Sequence, residues 1–199
     1  MQTKANTEHK ARGVFTATIQ STLLLFFTLF PLMFMDTLIH EGGHALSNLA
    51  HGLAVRLFYV HPFSMNGYTI LNLPWALTAW DYAAGHVATF IISLPLFIFL
   101  WRRRSVAILP FVMLFPWTAS HAIMTVSGIA QGIDDFNYVI NMTGWPAWPF
   151  YTIFSILAVV GIFLFVSLFP LLGLERKDIR TLFVIPVGFL LWSLVSLLV

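Results

Sequence analysis

Long apolar runs separated by short polar segments organise this chain. The first run starts near Ile19 and carries few polar residues until His40. It is too long for a signal-peptide core, and no small-residue cleavage site precedes His40, so it reads as an uncleaved transmembrane helix over about residues 15–50. Residues 1–13, with Lys4, Lys10 and Arg12 against Glu8, form a polar cytoplasmic tail. His51-Gly52 ends the helix. The β-branched and aromatic stretch Val55 to Val60, Pro62, the turn pair Asn66-Gly67 and the apolar run Tyr68 to Leu73 then predict a hairpin or re-entrant segment over 54–73. Further helices are predicted over about 74–101, stopped by Arg102-Arg103-Arg104, and over about 106–127, 147–172 and 181–199. Residues 128–147 read as a glycine-containing connection holding Asp134-Asp135, and Glu175 to Arg180 as a short polar link.

The prediction is an all-α polytopic membrane protein of about five spans, with residues 14–199 forming one transmembrane domain. Composition agrees: 59% of the 199 residues are hydrophobic and 9% charged, against about 25% charged in soluble domains. The net charge of +2 is small and scattered, which argues against nucleic acid as a partner. Its distribution is informative. With five spans, the basic tail, Arg102 to Arg104, and the cluster of Arg176, Lys177 and Arg180 share one side, while the other side has Arg56 as its fixed positive charge. The positive-inside rule then puts the N-terminus in the cytoplasm and the C-terminus outside.

The absence of cysteine excludes disulfides, thiolate metal ligands and thiol catalysis. A metal site here must use His, Asp and Glu. His40-Glu41-Gly42-Gly43-His44 supplies two imidazoles four residues apart on one helix face, where both can reach a tetrahedral Zn²⁺, with Glu41 beside the metal as a general base. A chance match among seven histidines is the competing reading, but three ionisable groups beside hydrocarbon are costly without a task. If the first helix enters the hydrocarbon near Leu23, His40 lies about 25 Å along it. The third helix exits on the same side and brings Asp134 and Asp135 to a similar level. Either can supply the third ligand, and either can instead cap a helix starting near Phe136. Asp36, one turn before His40, is a candidate for orienting its imidazole or for meeting water in a cavity. His86 and His121 are candidates for binding substrate or for packing, and His51 and His61 read as interfacial.

These residues resemble a known family. The segment His40 to Gly52, the hairpin-like stretch after it, the small-residue run Ala84-Gly85-His86 and a later aspartate resemble the site-2-protease-type intramembrane zinc metallopeptidases over about residues 30–150. That resemblance implies His40 and His44 as zinc ligands, Glu41 as base, and a membrane protein or peptide as substrate. The family's second motif, usually Leu-Asp-Gly, corresponds to Ile133-Asp134-Asp135-Phe136. If Ile133 stands for the leucine, Asp134 is the ligand; a branch continuing into a helix and the Thr143-Gly144-Trp145-Pro146 turn makes it Asp135. The alternative expectation is a non-proteolytic binding or assembly subunit whose metal is structural or absent.

Overall fold

The computed structural model describes residues 2–62, 67–72, 76–103, 105–174 and 180–198. Asn66, Leu73, Pro74, Arg104, Glu175 to Lys177 and Val199, all used in the sequence reading, lie outside them. Six helices and one hairpin are present among the described residues: α1 (Gln2–Ala50), β1 (Val55–Val60), β2 (Gly67–Leu71), α2 (Ala79–Leu100), α3 (Leu109–Gln131), α4 (Asp135–Thr143), α5 (Trp148–Ser167) and α6 (Thr181–Leu198). The protein is an all-α polytopic membrane protein. Four segments, Gly13–Ala50, Ala79–Arg103, Val106–Gln131 and Trp148–Ser167, are long and apolar enough to cross a bilayer. In the fifth expected span, the apolar helical run among the described residues is Phe183–Trp192 within α6.

Several boundaries differ from the sequence reading for local physical reasons. The first helix reaches back to Gln2, so residues 2–13 are helical and continuous with α1, ahead of the apolar span that begins at Gly13. At 1.5 Å per residue its 49 residues span about 73 Å, more than twice the hydrocarbon thickness. α2 starts at Ala79, not near 74, because Thr78 and Asp81 form a reciprocal capping box. A 3-10 turn at Val106–Ile108 delays α3 to Leu109, and α3 runs on to Gln131, where Gly132 turns the chain left-handed at φ 78°. Residues 128–147 are therefore not a simple connection: they contain the end of α3 and all of α4. α5 stops at Ser167, followed by a 3-10 turn over Phe169–Leu172.

The hairpin is antiparallel, with Phe58 opposite Thr69, Tyr59 opposite Tyr68, and a register shift between Val55 and Leu57. It packs on α1. The main helix contacts are α3 with α5, α1 with α2, α2 with α3, and α1 with α6. One core joins Leu25, Leu29, Leu32 and Met33 of α1 to Val112, Met113 and Leu114 of α3 and to Val184 of α6. A second, beside the candidate site, joins Ala83, Ala122, Ile129, Phe136, Val139 and Phe154.

In lipid, helices associate by close packing, and small residues let backbones approach. A methyl group at Gly161 of α5 would run into the backbone of Ala119 and Ser120 on α3. Gly161→Leu is therefore expected to lower the thermal unfolding midpoint of the detergent-solubilised protein, by an amount equivalent to about 1–3 kcal/mol. Gly13→Ala, at an exposed position inside α1 with nothing within 4 Å, should not lower it.

Candidate metal centre

α1 and α2 meet face to face at the histidines. A Cβ on Gly43 would lie 2.5 Å from the carbonyl oxygen of Ala84 and 2.7 Å from Ala88 Cβ. One on Gly85 would lie 2.8 Å from His40 Cε1 and would also strike His44 Nε2. Glycine at these two positions lets the helices close and leaves room for the two imidazoles. The Gly132 turn then returns the chain so that α4 begins beside them.

The aspartate pair divides its work there. Asp134 is the α4 N-cap, with its Oδ1 accepting the Phe136 backbone N–H at 2.9 Å. Asp135, in the first turn of α4, points its Oδ2 to 3.4 Å from His40 Nε2 and 3.3 Å from His44 Nε2. The two Nε2 atoms are 3.1 Å apart. Tetrahedral Zn²⁺ with ligands at about 2.0–2.1 Å places ligand atoms about 3.3 Å from one another. The three side chains thus form one face of such a tetrahedron, and the donor set, two imidazole nitrogens and a carboxylate oxygen, suits zinc. Burial pushes the Asp134 carboxyl up to about 6. Burial acts on Asp135 in the same sense, but hydrogen bonds with His40 and His44 outweigh it and hold that carboxyl below the ordinary range.

His44 is oriented from behind. Its Nδ1 donates to the backbone carbonyl of Asp81 at 2.7 Å, which leaves the Nε2 lone pair for a metal. The Asp81 carboxylate is itself fully buried and accepts from Ser47 Oγ at 2.7 Å, from the Thr78 backbone N–H at 2.8 Å and from Thr78 Oγ1 at 2.6 Å; His51 Nδ1 lies 2.7 Å away. This hub ties the end of α1 to the start of α2. The sequence reading missed it, although Thr78-x-x-Asp81 is a capping-box spacing that could have flagged it. His51, read as interfacial, is half-exposed but bonded into the hub.

Glu41 faces the hairpin. Thr69 Oγ1 of β2 donates to Glu41 Oε2 at 3.0 Å, and a Cβ on Gly67 would lie 2.7 Å from Glu41 Cγ. Two cavities flank the histidines. One, of about 340 Å³, is lined by His40, Glu41, Asp36, His86, His121 and both aspartates, among others. The other, of about 220 Å³, lies between α1, β2 and the start of α2, and also borders His40, Glu41 and Asp135.

Asp36, His86 and His121 line the larger cavity without joining the ligand triangle. Asp36 is buried and accepts from Thr118 Oγ1 at 2.7 Å; among the described residues it makes no hydrogen bond to His40. His86 packs edge-on against the His40 ring at 4.7 Å, with its Nε2 3.9 Å from Asp134 Oδ1. His121 stacks on Trp117. The His61 ring lies 6.3 Å from Tyr59 on the hairpin. No protein-family model, curated protein or solved structure matches this chain.

Metal analysis discriminates the two aspartates. After zinc loading and dialysis, the wild type is expected to hold about one equivalent. His40→Ala, His44→Ala and Asp135→Ala should each bind zinc at least ~100-fold more weakly, and Asp134→Asn, which keeps a capping side chain at the start of α4, should retain it. Asp81→Asn, which removes acceptor capacity from the hub, is expected to weaken zinc about 10–100-fold without abolishing it.

Proposed function

We propose that this protein is an intramembrane zinc endopeptidase of the site-2-protease type, hydrolysing peptide bonds in membrane-embedded or membrane-proximal segments. The observation that supports it most is the triangle of His40, His44 and Asp135, with edges of 3.1–3.4 Å, beside Glu41, which shares a turn of α1 with the two histidines. A zinc ion held there would supply Lewis acidity, activating water and polarising the scissile carbonyl. Glu41 accepts the proton from the attacking water and later delivers it to the leaving amine. The Thr69 hydroxyl fixes the carboxylate for that task. Asp81, through its carbonyl, keeps His44 in the tautomer whose Nε2 faces the site.

A helical substrate hides its backbone, so an unwound stretch must enter. Among the described residues β2 pairs with one strand, β1, and it lies against Glu41, so an extended peptide beside it can add as a strand. The cavities on both sides of the histidines give room for residues before and after the scissile bond. By the charge bias, the N-terminus is cytoplasmic, the C-terminus is outside, and the site lies in the non-cytoplasmic half of the bilayer.

Glu41→Gln is the decisive variant. It is expected to keep zinc and to lose about 10²–10⁴-fold in cleavage of a transmembrane-segment peptide in detergent or liposomes. Unchanged cleavage with zinc retained would overturn the role of Glu41. A zinc-loaded wild type that cleaves no such peptide would favour a binding or assembly subunit with a structural metal.

A further inference from the structure

The stripe that carries the two histidines continues beyond them. Asp36, His40, His44 and Asn48 follow one another at intervals of four residues along one face of α1. Asp36 is bonded to Thr118, and the histidines face Asp135. Asn48 has no such assignment. The residue is 3% exposed, and its Oδ1, shielded from solvent, has no hydrogen-bond partner among the described residues, so a turn of the carboxamide is needed to present it to the cavity. Buried amides are normally paired, and an unpaired one is destabilising unless something else pairs with it.

The position of Asn48 says what that partner could be. Its backbone is fixed: its carbonyl accepts the His51 and Leu53 N–H groups where α1 ends. Its side chain borders the cavity of about 220 Å³ that is also lined by His40, Glu41, His44, Thr69 and Asp81. Asn48 lies one helical turn beyond His44, about 6 Å along the axis. An extended peptide advances about 3.3 Å per residue. A chain whose scissile carbonyl sits at the histidines therefore brings a peptide unit to Asn48 within about two residues of the scissile bond. A carboxamide both donates and accepts, as a peptide unit does, and a half-turn about its last bond exchanges the two ends. Peptide backbone matches this group without requiring any particular side chain.

We propose that the Asn48 carboxamide binds the backbone of an extended peptide in the cavity between β2 and the histidines, holding the substrate strand beside the scissile bond. The inference rests on the peptidase reading for the nature of its ligand, but its test does not require turnover. The probes are two hydroxamates, acetyl-trileucine hydroxamate and acetohydroxamate, titrated into the zinc-loaded full chain in detergent. Both present the same metal-binding group, and one of them also carries a peptide backbone.

Asn48→Leu is expected to weaken the trileucine probe about ten-fold and to leave acetohydroxamate unchanged. Replacing one linkage of the trileucine probe by an ester should weaken wild-type binding by a similar factor and have no further effect in Asn48→Leu, because both changes delete the same hydrogen bond. Asn48→Ala serves as a second variant if leucine disturbs folding, and the same pattern is expected. Equal weakening of both probes, no weakening of the trileucine probe, or multiplying effects of ester and variant at every linkage would overturn the proposal. A wild type that binds neither probe would overturn both it and the zinc reading. If the backbone preference is found in a protein that cleaves no peptide, the peptidase reading fails and the binding role of Asn48 stands.

Discussion

Everything at the candidate site depends on how closely α1 and α2 approach. Two imidazoles at i and i+4 project from α1 by geometry alone, but they need space on the neighbouring helix. Gly85 supplies it, since any side chain there would occupy the volume of the rings. Gly43 allows the approach from the other helix, one residue before His44. That proximity brings the Asp81 carbonyl to 2.7 Å from His44 Nδ1 and its carboxylate to Ser47 and His51. A side chain at either glycine would thus displace a ring, a tautomer-setting hydrogen bond and the hub that joins two helix ends.

The bilayer makes the hub intelligible. In hydrocarbon, an ionisable or backbone polar group must be satisfied by protein. Asp81 meets this condition through several partners, and Asp36 through Thr118. Asp36, Thr37, Ser47 and Asn48 of α1 are buried, while Phe15, Phe27, Leu46 and Leu49 are exposed. The hairpin fits the same rule. Non-helical backbone beside apolar helices needs cover from protein, and β1 and β2 pack on α1.

The legible features were those governed by local chemistry. Hydropathy marked the long helices, the β-branched stretch from Val55 marked the hairpin, and His40 to His44 declared itself by spacing. The features that escaped depend on the tertiary partner. Asp81 looks like an ordinary capping residue until its carbonyl is seen on His44. His51 looks interfacial until Asp81 is placed beside it. Only the start of α4 was legible, as a helix near Phe136 that either aspartate could cap; its nine residues are too few for hydropathy to mark its extent. The burial of Asn48 without a partner for its Oδ1 among the described residues cannot be read from its neighbours in sequence at all, since it comes from the tertiary packing around it.

The aspartate pair shows how one local rule separates two residues that a motif leaves equivalent. Spacing allowed either Asp134 or Asp135 as the third ligand, and the family pattern was divided between them. An N-cap residue is extended, whereas the next residue already follows helical geometry, so the two side chains leave the backbone in different directions. Asp134, at φ −90° and ψ 155°, turns its carboxylate back onto the Phe136 N–H. Asp135 is then free to project from the first turn toward His40 and His44. Nor are the two roles independent, because the cap fixes where α4 starts, and the start of α4 fixes the reach of Asp135. Adjacent carboxylates here act in series: the first sets the backbone from which the second meets the histidines.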